Sequence, residues 1–313
     1  PGFTVSDVYW RGPIITARGV AMTLYNDKIL MLIDGVPAYE PVTLEYYLDV
    51  VPVTVIERIE IIRGPGSTLY GTNAFSAVIN IITLDGKKHK GSMAYLKGGS
   101  FNTRGGGFAF GDENNGFSYF VGGTVTDNDG YDHTLPFDED SIANINLNYE
   151  NDIQNIFANF KYKNLSITTG YYYQNIAKFS MTTAIKYGSD QVPDQGMAQH
   201  TKYYLNGMYN FNLTDKFSGK LMFHYDYMDK ENGVGKFGTL NFLNYFGIDS
   251  TYPQDLTTLD PSFAAPNYSL YKGQLYNSEL QLNYEASDNL SFIGGVTGEI
   301  RDCENVYTML GER

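Results

Sequence analysis

Val55–Thr83 reads VIERIEIIRGPGSTLYGTNAFSAVINIIT, which parses into strand, tight glycine turn, short helix and second strand. Ile59 to Ile62 is a β-branched run broken by Glu60, and Ala77 to Ile82 is another broken by Asn80. Both suit strands buried on two faces. Between them lies Gly64-Pro65-Gly66, where the glycines permit positive φ and the proline fixes a corner. Ser67 is placed to cap a helix over Thr68 to Tyr70, with Gly71 as its terminator.

A glycine turn between strand and helix invites a phosphate-binding reading. The glycines fall as G-x-G-x-x-x-x-G with no Gly-Lys-Ser/Thr after them, so neither nucleotide fingerprint is matched. The stretch instead resembles the plug signature of TonB-dependent outer-membrane receptors, with IERIEIIRGP, STLYG and AVINIIT in that family's order and spacing. A second block lies upstream, where Ala17-Arg18-Gly19 and Ile33-Asp34-Gly35-Val36-Pro37 look like the family's RG and DG-x-P pair. The resemblance implies an N-terminal α+β plug domain inside an all-β membrane barrel of 22 strands when complete.

The 313 residues carry a net charge of −13, so no overall electrostatic attraction draws the chain to nucleic acid or an anionic surface. One cysteine, Cys303, excludes an intrachain disulfide. Composition is rich in turns and aromatics, with 33 Gly, 27 Tyr and 19 Phe, and only 18% of residues are charged. No apolar run reaches the roughly 18 residues of a membrane helix. A mean hydropathy of −0.28 is nonetheless compatible with a membrane barrel, whose strands alternate apolar and polar residues.

That alternation begins near Lys90, after a polar linker at Leu84 to Lys88. In Tyr203 to Phe211 the odd positions are assigned to lipid and the even ones to the lumen, and Phe217 to Tyr227 splits the same way. Nine such segments are counted, at 92–97, 104–110, 117–126, 156–162, 165–173, 203–211, 217–227, 274–284 and 290–300. Their links alternate short and long, as in an up-and-down barrel with short periplasmic turns and long outer loops. A soluble sandwich gives no reason for that alternation. The expected organisation is a plug over 1–88, lacking its N-terminal part, and the N-terminal portion of a barrel over 89–313. Nine being odd, about thirteen further strands are expected in the parent chain, together with a signal peptide and coupling box.

Three groups of residues in the first 88 are singled out. Tyr9, Trp10 and Arg11 form an aromatic cluster for which packing is the first reading, and Tyr39, Tyr46 and Tyr47 form a second cluster that is a candidate to face a ligand. The resemblance adds that plug loops here point to the outer mouth, where such residues suit cargo contact. Glu57, Arg58, Glu60 and Arg63 place both signs of charge in a segment built for burial, and are expected to bond across the plug or to the barrel wall as a lock. Gly64, Pro65, Gly66, Tyr70 and Gly71 form the signature turn.

The acidic loop Thr126 to His133 fails the spacing of a calcium loop, and the four histidines form no H-x-x-H pair, so no metal site is expected. No cofactor and no catalytic residue are expected either. A barrel enzyme is disfavoured because His224 and Asp226, on one inner face, lack a nucleophile signature. The resemblance implies an outer-membrane receptor of a Gram-negative bacterium that binds a scarce nutrient of the siderophore-iron, haem or cobalamin type and imports it by energy-coupled plug displacement. The alternative is a glycan- or peptide-importing relative. Implied partners are a TonB-type energy-coupling protein, outer-membrane lipid, the small-molecule metal chelate or similar nutrient, and a surface lipoprotein.

Overall fold

The computed structural model describes residues 2–8, 12–17, 28–42, 44, 46–71, 73–130, 133–135, 145–147, 150–178, 196–236 and 266–308. The chain opens with a hairpin of β1 (Phe3–Val8) and β2 (Gly12–Ala17). A four-stranded sheet follows, built from β3 (Ile29–Ile33), β4 (Val36–Pro37), β5 (Ile56–Arg63) and β6 (Ala77–Thr83) in the order β4-β3-β6-β5. The parallel pair β3 and β6 is central, and every residue of β3 is buried. A one-turn helix α1 (Ser67–Tyr70) joins β5 to β6.

Three local expectations are corrected here. Among the described residues β5 is exposed rather than buried on two faces, with Ile59 at 54% and Ile61 at 46%, because no described segment packs over them. Ser67 is the first helical residue rather than the cap, and its hydroxyl donates to the Ala74 carbonyl at 3.0 Å. Gly64 takes the positive φ of 119°, whereas Gly66 is small for reasons of space: a Cβ there would lie 3.0 Å from Val78. Gly71 ends the helix as expected, its N–H donating to the Ser67 carbonyl at φ 76°.

Asp34 is the clasp of this sheet. It sits in the β3–β4 turn at φ 51° and accepts from the Thr83 N–H at 2.9 Å and the Thr83 hydroxyl at 2.6 Å. Asn80 closes the same turn through the Gly35 N–H at 3.0 Å. Asp34→Ala is therefore expected to cost about 1–3 kcal/mol, by leaving part-buried donors unmet. Faster amide hydrogen exchange across β6 would report that loss, and unchanged exchange would refute it.

The second sheet contains β7 (Gly91–Gly99), β8 (Thr103–Asn114), β9 (Phe117–Asn128), β12 (Asn151–Tyr162), β13 (Leu165–Lys178), β14 (Gly196–Thr214), β15 (Phe217–Lys236), β16 (Pro266–Ser287) and β17 (Leu290–Thr308). A small hairpin of β10 (His133–Leu135) and β11 (Ile145–Leu147), not foreseen from the sequence, stands in the link between β9 and β12. All nine strands pair antiparallel with their sequence neighbours in this sheet, from β7 at one edge to β17 at the other. These are the nine segments read from the alternation, each extended at its ends. Two-residue turns at Asn115-Gly116, Lys163-Asn164, Asp215-Lys216 and Asp288-Asn289 mark one end of the sheet.

Register supplies the tilt. One ladder row runs from Phe117 through Tyr162, Leu165, Tyr209, Leu221 and Leu280 to Val296. The β16–β17 turn lies about seven residues further along its strands than the β8–β9 turn does, across six strand spacings. That stagger is a tilt of roughly 35–40°, the value of membrane barrels.

Side-chain alternation divides the sheet into two faces. Tyr203, Leu205, Tyr209, Leu221 and Phe223 are 40–50% exposed on one face, while Asn206 and His224 are buried on the other, at 5% and 2%. The outward face of β15 reads Phe217, Gly219, Leu221, Phe223, Tyr225 and Tyr227, and that of β17 reads Leu290, Phe292, Gly294, Val296, Gly298 and Ile300. Outward charges reappear at Arg104, Asp127, Asp152, Asp229 and Asp302, about ten residues above the short turns. Ten residues at this tilt span about 25 Å, the height of the apolar band of an outer-membrane barrel. Aromatic rows edge the band, with Tyr203 stacked on Tyr227 at 4.4 Å above and Phe117 on Phe160 at 6.5 Å below.

Candidate functional site

The four-stranded sheet packs against the concave face of the nine-stranded one, and one hydrophobic cluster joins both. It contains Met31, Ile79 and Val55 from the smaller sheet and its loops, and Phe120, Phe157, Tyr172 and Tyr204 from the larger. Small wall residues permit the approach: a Cβ at Gly122 would fall 2.8 Å from Val55, and one at Gly273 would fall 2.7 Å from Pro41.

At the end near the short turns, the linker is pinned to the wall. Asp85 pairs with Lys161 at 2.8 Å and accepts from the N–H groups of Lys87 and Lys88, and Asn159 donates to Thr83 at 3.1 Å. Burial opposes the Asp85 charge, but the Lys161 ammonium and the two backbone donors outweigh it and hold the carboxyl below its usual range. A carboxyl held low in the folded state stabilises above its unfolded value near 3.9 and stops doing so as pH falls through the lower folded value. Limited proteolysis across 84–90 is thus expected to accelerate below about pH 4, and Asp85→Asn is expected to remove that dependence. Equal pH dependence in wild type and variant would refute it.

At the opposite end, the loop from Ala38 to Val51 reaches the wall. Lys230 donates to the Tyr47 hydroxyl at 2.8 Å, and the Tyr47 ring lies 5.2 Å from His200. Asn155 donates to the Asp49 carbonyl at 3.0 Å. Tyr39 donates to Glu299 at 2.8 Å, and Asn277 and Arg301 donate to the same carboxylate at 3.2 and 2.6 Å. Burial, and for Tyr39 also the Glu299 charge, pushes the phenols of Tyr39 and Tyr46 well above their usual range, so both stay protonated.

Tyr39, Tyr46 and Tyr47 are only 3–7% exposed, so their rings brace the loop instead of presenting open faces. Tyr9, Trp10 and Arg11 lie outside the described residues. Of the charged quartet, Arg58 pairs with Glu57 and Glu60 at 2.8 Å each, Lys88 also reaches Glu57, and Arg63 lies 6.0 Å over the Phe3 ring. Glu60 also accepts from Asn80 at 3.3 Å. These contacts run along the open face of β5 and to the linker; among the described residues none reaches the nine-stranded wall. The Lys88 ammonium first, then Arg58, holds the Glu57 carboxyl below its usual range. In the signature turn Gly64 and Gly66 are buried, while Pro65, Tyr70 and Gly71 are exposed.

Sequence reading missed the wall partners Lys230, Glu299, His200 and Asn155, and the pair Lys202–Asp226, whose side chains are each 1% exposed. Alternation placed such positions inside. Which plug group each would meet had no signal in the sequence.

Residues 1–78 match the sequence profile described as the TonB-dependent Receptor Plug Domain. This part of the chain is a plug domain of the TonB-dependent receptor type. Its place is the outer membrane of a Gram-negative cell. The receptor is 32% identical over 164 residues to the vitamin B12 transporter BtuB of Vibrio vulnificus, covering 51% of this chain and 25% of that one. It is 40% identical over 94 residues to the iron-regulated outer membrane virulence protein of Vibrio cholerae, covering 29% and 14%. The pyoverdine receptor FpvA of Pseudomonas aeruginosa shares the fold, with a TM-score of 0.63 at 12% identity over 97% of this chain and 43% of that one. The receptor sequence therefore spans a quarter of the first of these curated relatives and less than half of the solved one.

Proposed function

We propose that the complete receptor binds a scarce nutrient at the cell surface and imports it into the periplasm by energy-coupled displacement of its plug. The cargo class is a siderophore-iron complex, haem or cobalamin. The chain divides in this reading into a plug over 1–88 and a barrel portion over 89–313. Tyr9, Trp10 and Arg11 are cargo-contacting residues in this reading, together with Tyr39, Tyr46 and Tyr47, which also set the position of the 38–51 loop. Glu57, Arg58, Glu60 and Arg63 form the lock that the moving plug releases. A TonB-type protein supplies the energy, and a surface lipoprotein is a further partner to test for.

The observation that carries this reading is the loop 38–51, lodged at the outer end of the wall by polar bonds to β12, β15 and β17. Such bonds contribute about 0.5–1.5 kcal/mol for the neutral Asn155 contact and about 1.5–3 kcal/mol where Lys230 or Glu299 takes part, and the buried rings beside them add to the hold on the loop. Mass spectrometry and metal analysis of cargo co-purified with the complete receptor test the assignment. An iron or cobalt chelate is expected; an oligosaccharide or peptide would replace this cargo class by the alternative. Alanine at Trp10 and Tyr39 is expected to weaken cargo binding about tenfold or more. Unchanged affinity in a folded receptor would remove these residues from the site.

A further inference from the structure

The outward face of the sheet holds a groove of about 760 Å³ across β7, β8, β9, β12 and β13. Its floor is low because glycines occupy outward positions on adjacent strands, Gly106 opposite Val125 and Gly123 opposite Phe108, with the Leu96 side chain leaning over Gly106 and the Phe108 ring over Gly123. Leu96, Phe108, Val125 and Ile156 stand around them as exposed apolar walls, at 93%, 45%, 48% and 53%. Resting on the membrane reading of this face, we propose that the groove holds one acyl chain of an outer-leaflet lipid of the lipid A class.

The location decides the occupant. The groove lies inside the charge-free band, so its open side meets hydrocarbon and not water. Its upper row, Leu96, Gly106, Val125 and Gln154, is two residues below the rim row of Arg104, Asp127 and Asp152. That height belongs to the leaflet on the long-loop side. The rim does not recruit a headgroup phosphate, because Arg104 is already paired with Asp127 at 2.7 Å in acidic surroundings. The chain, through apolar contact, supplies the binding.

Native mass spectrometry of the complete receptor, taken from nanodiscs containing lipid A or containing phosphatidylethanolamine alone, tests this. Wild type is expected to retain one lipid A, with retention at least tenfold lower in Val125→Trp and Ile156→Trp, which fill the groove without altering a glycine. Ile300→Trp, on the same outward face but away from the groove, is expected to retain it. No retained lipid in an inserted wild-type receptor, equal retention in all variants, retention of phosphatidylethanolamine instead, or a dimer abolished by Val125→Trp would each overturn the inference. Failure of the receptor to enter nanodiscs would instead refute the membrane reading on which it rests.

Discussion

Replacing Asp226 with alanine is expected to destabilise the receptor by about 3–5 kcal/mol, the largest effect of any single change considered. Asp226 is 0% and Lys202 1% exposed, and they pair on the inner wall beneath the plug. Removing the carboxylate leaves the Lys202 ammonium without its direct ion-pair partner, and the desolvation already incurred is no longer offset by that pairing. The double variant Lys202→Met, Asp226→Leu is expected to regain most of the loss, since apolar groups of similar volume need no partner. Urea unfolding of the complete receptor measures both. A single-variant cost below about 1 kcal/mol would show that water reaches the pair and screens it.

Arginine at Leu221 is expected to cost about 2–4 kcal/mol, the penalty for a cation at the bilayer midplane of a barrel. Leu221 is 50% exposed on the outward face of β15, about halfway between the short turns and the charged rim. The neighbouring Lys220, which faces inward and meets Glu279 at 3.4 Å, tolerates its charge because it faces away from lipid. Reversible folding into lipid vesicles, compared with Leu221→Ala, measures the cost. A difference under about 0.5 kcal/mol would mean that this face does not meet hydrocarbon.

Those two residues show where sequence stops being informative. That Leu221 points out and Asp226 in is legible from the period-2 pattern, because successive strand residues face opposite sides whatever surrounds them. The fate of Asp226 is not legible: nothing in its neighbours announces Lys202, which pairs with it across two strands joined through a two-residue turn. The same holds for Tyr39 and Glu299, far apart in the chain and joined at 2.8 Å. β5 marks the converse limit, since its apolar run predicted burial that depends on what packs over the faces of its sheet, and among the described residues nothing covers Ile59 and Ile61.

The sequence by itself determined the strand alternation, the turn positions, the membrane-facing stripe and the plug signature, all set by local sterics and by the spacing of apolar residues along one segment. Only the tertiary structure decided that Tyr39, Tyr46 and Tyr47 brace a loop, that Asp34 clasps β6, and that Gly106 and Gly123 combine into one groove. These depend on register between segments distant in the chain, and register is fixed by the summed packing of many side chains rather than by any stretch read alone.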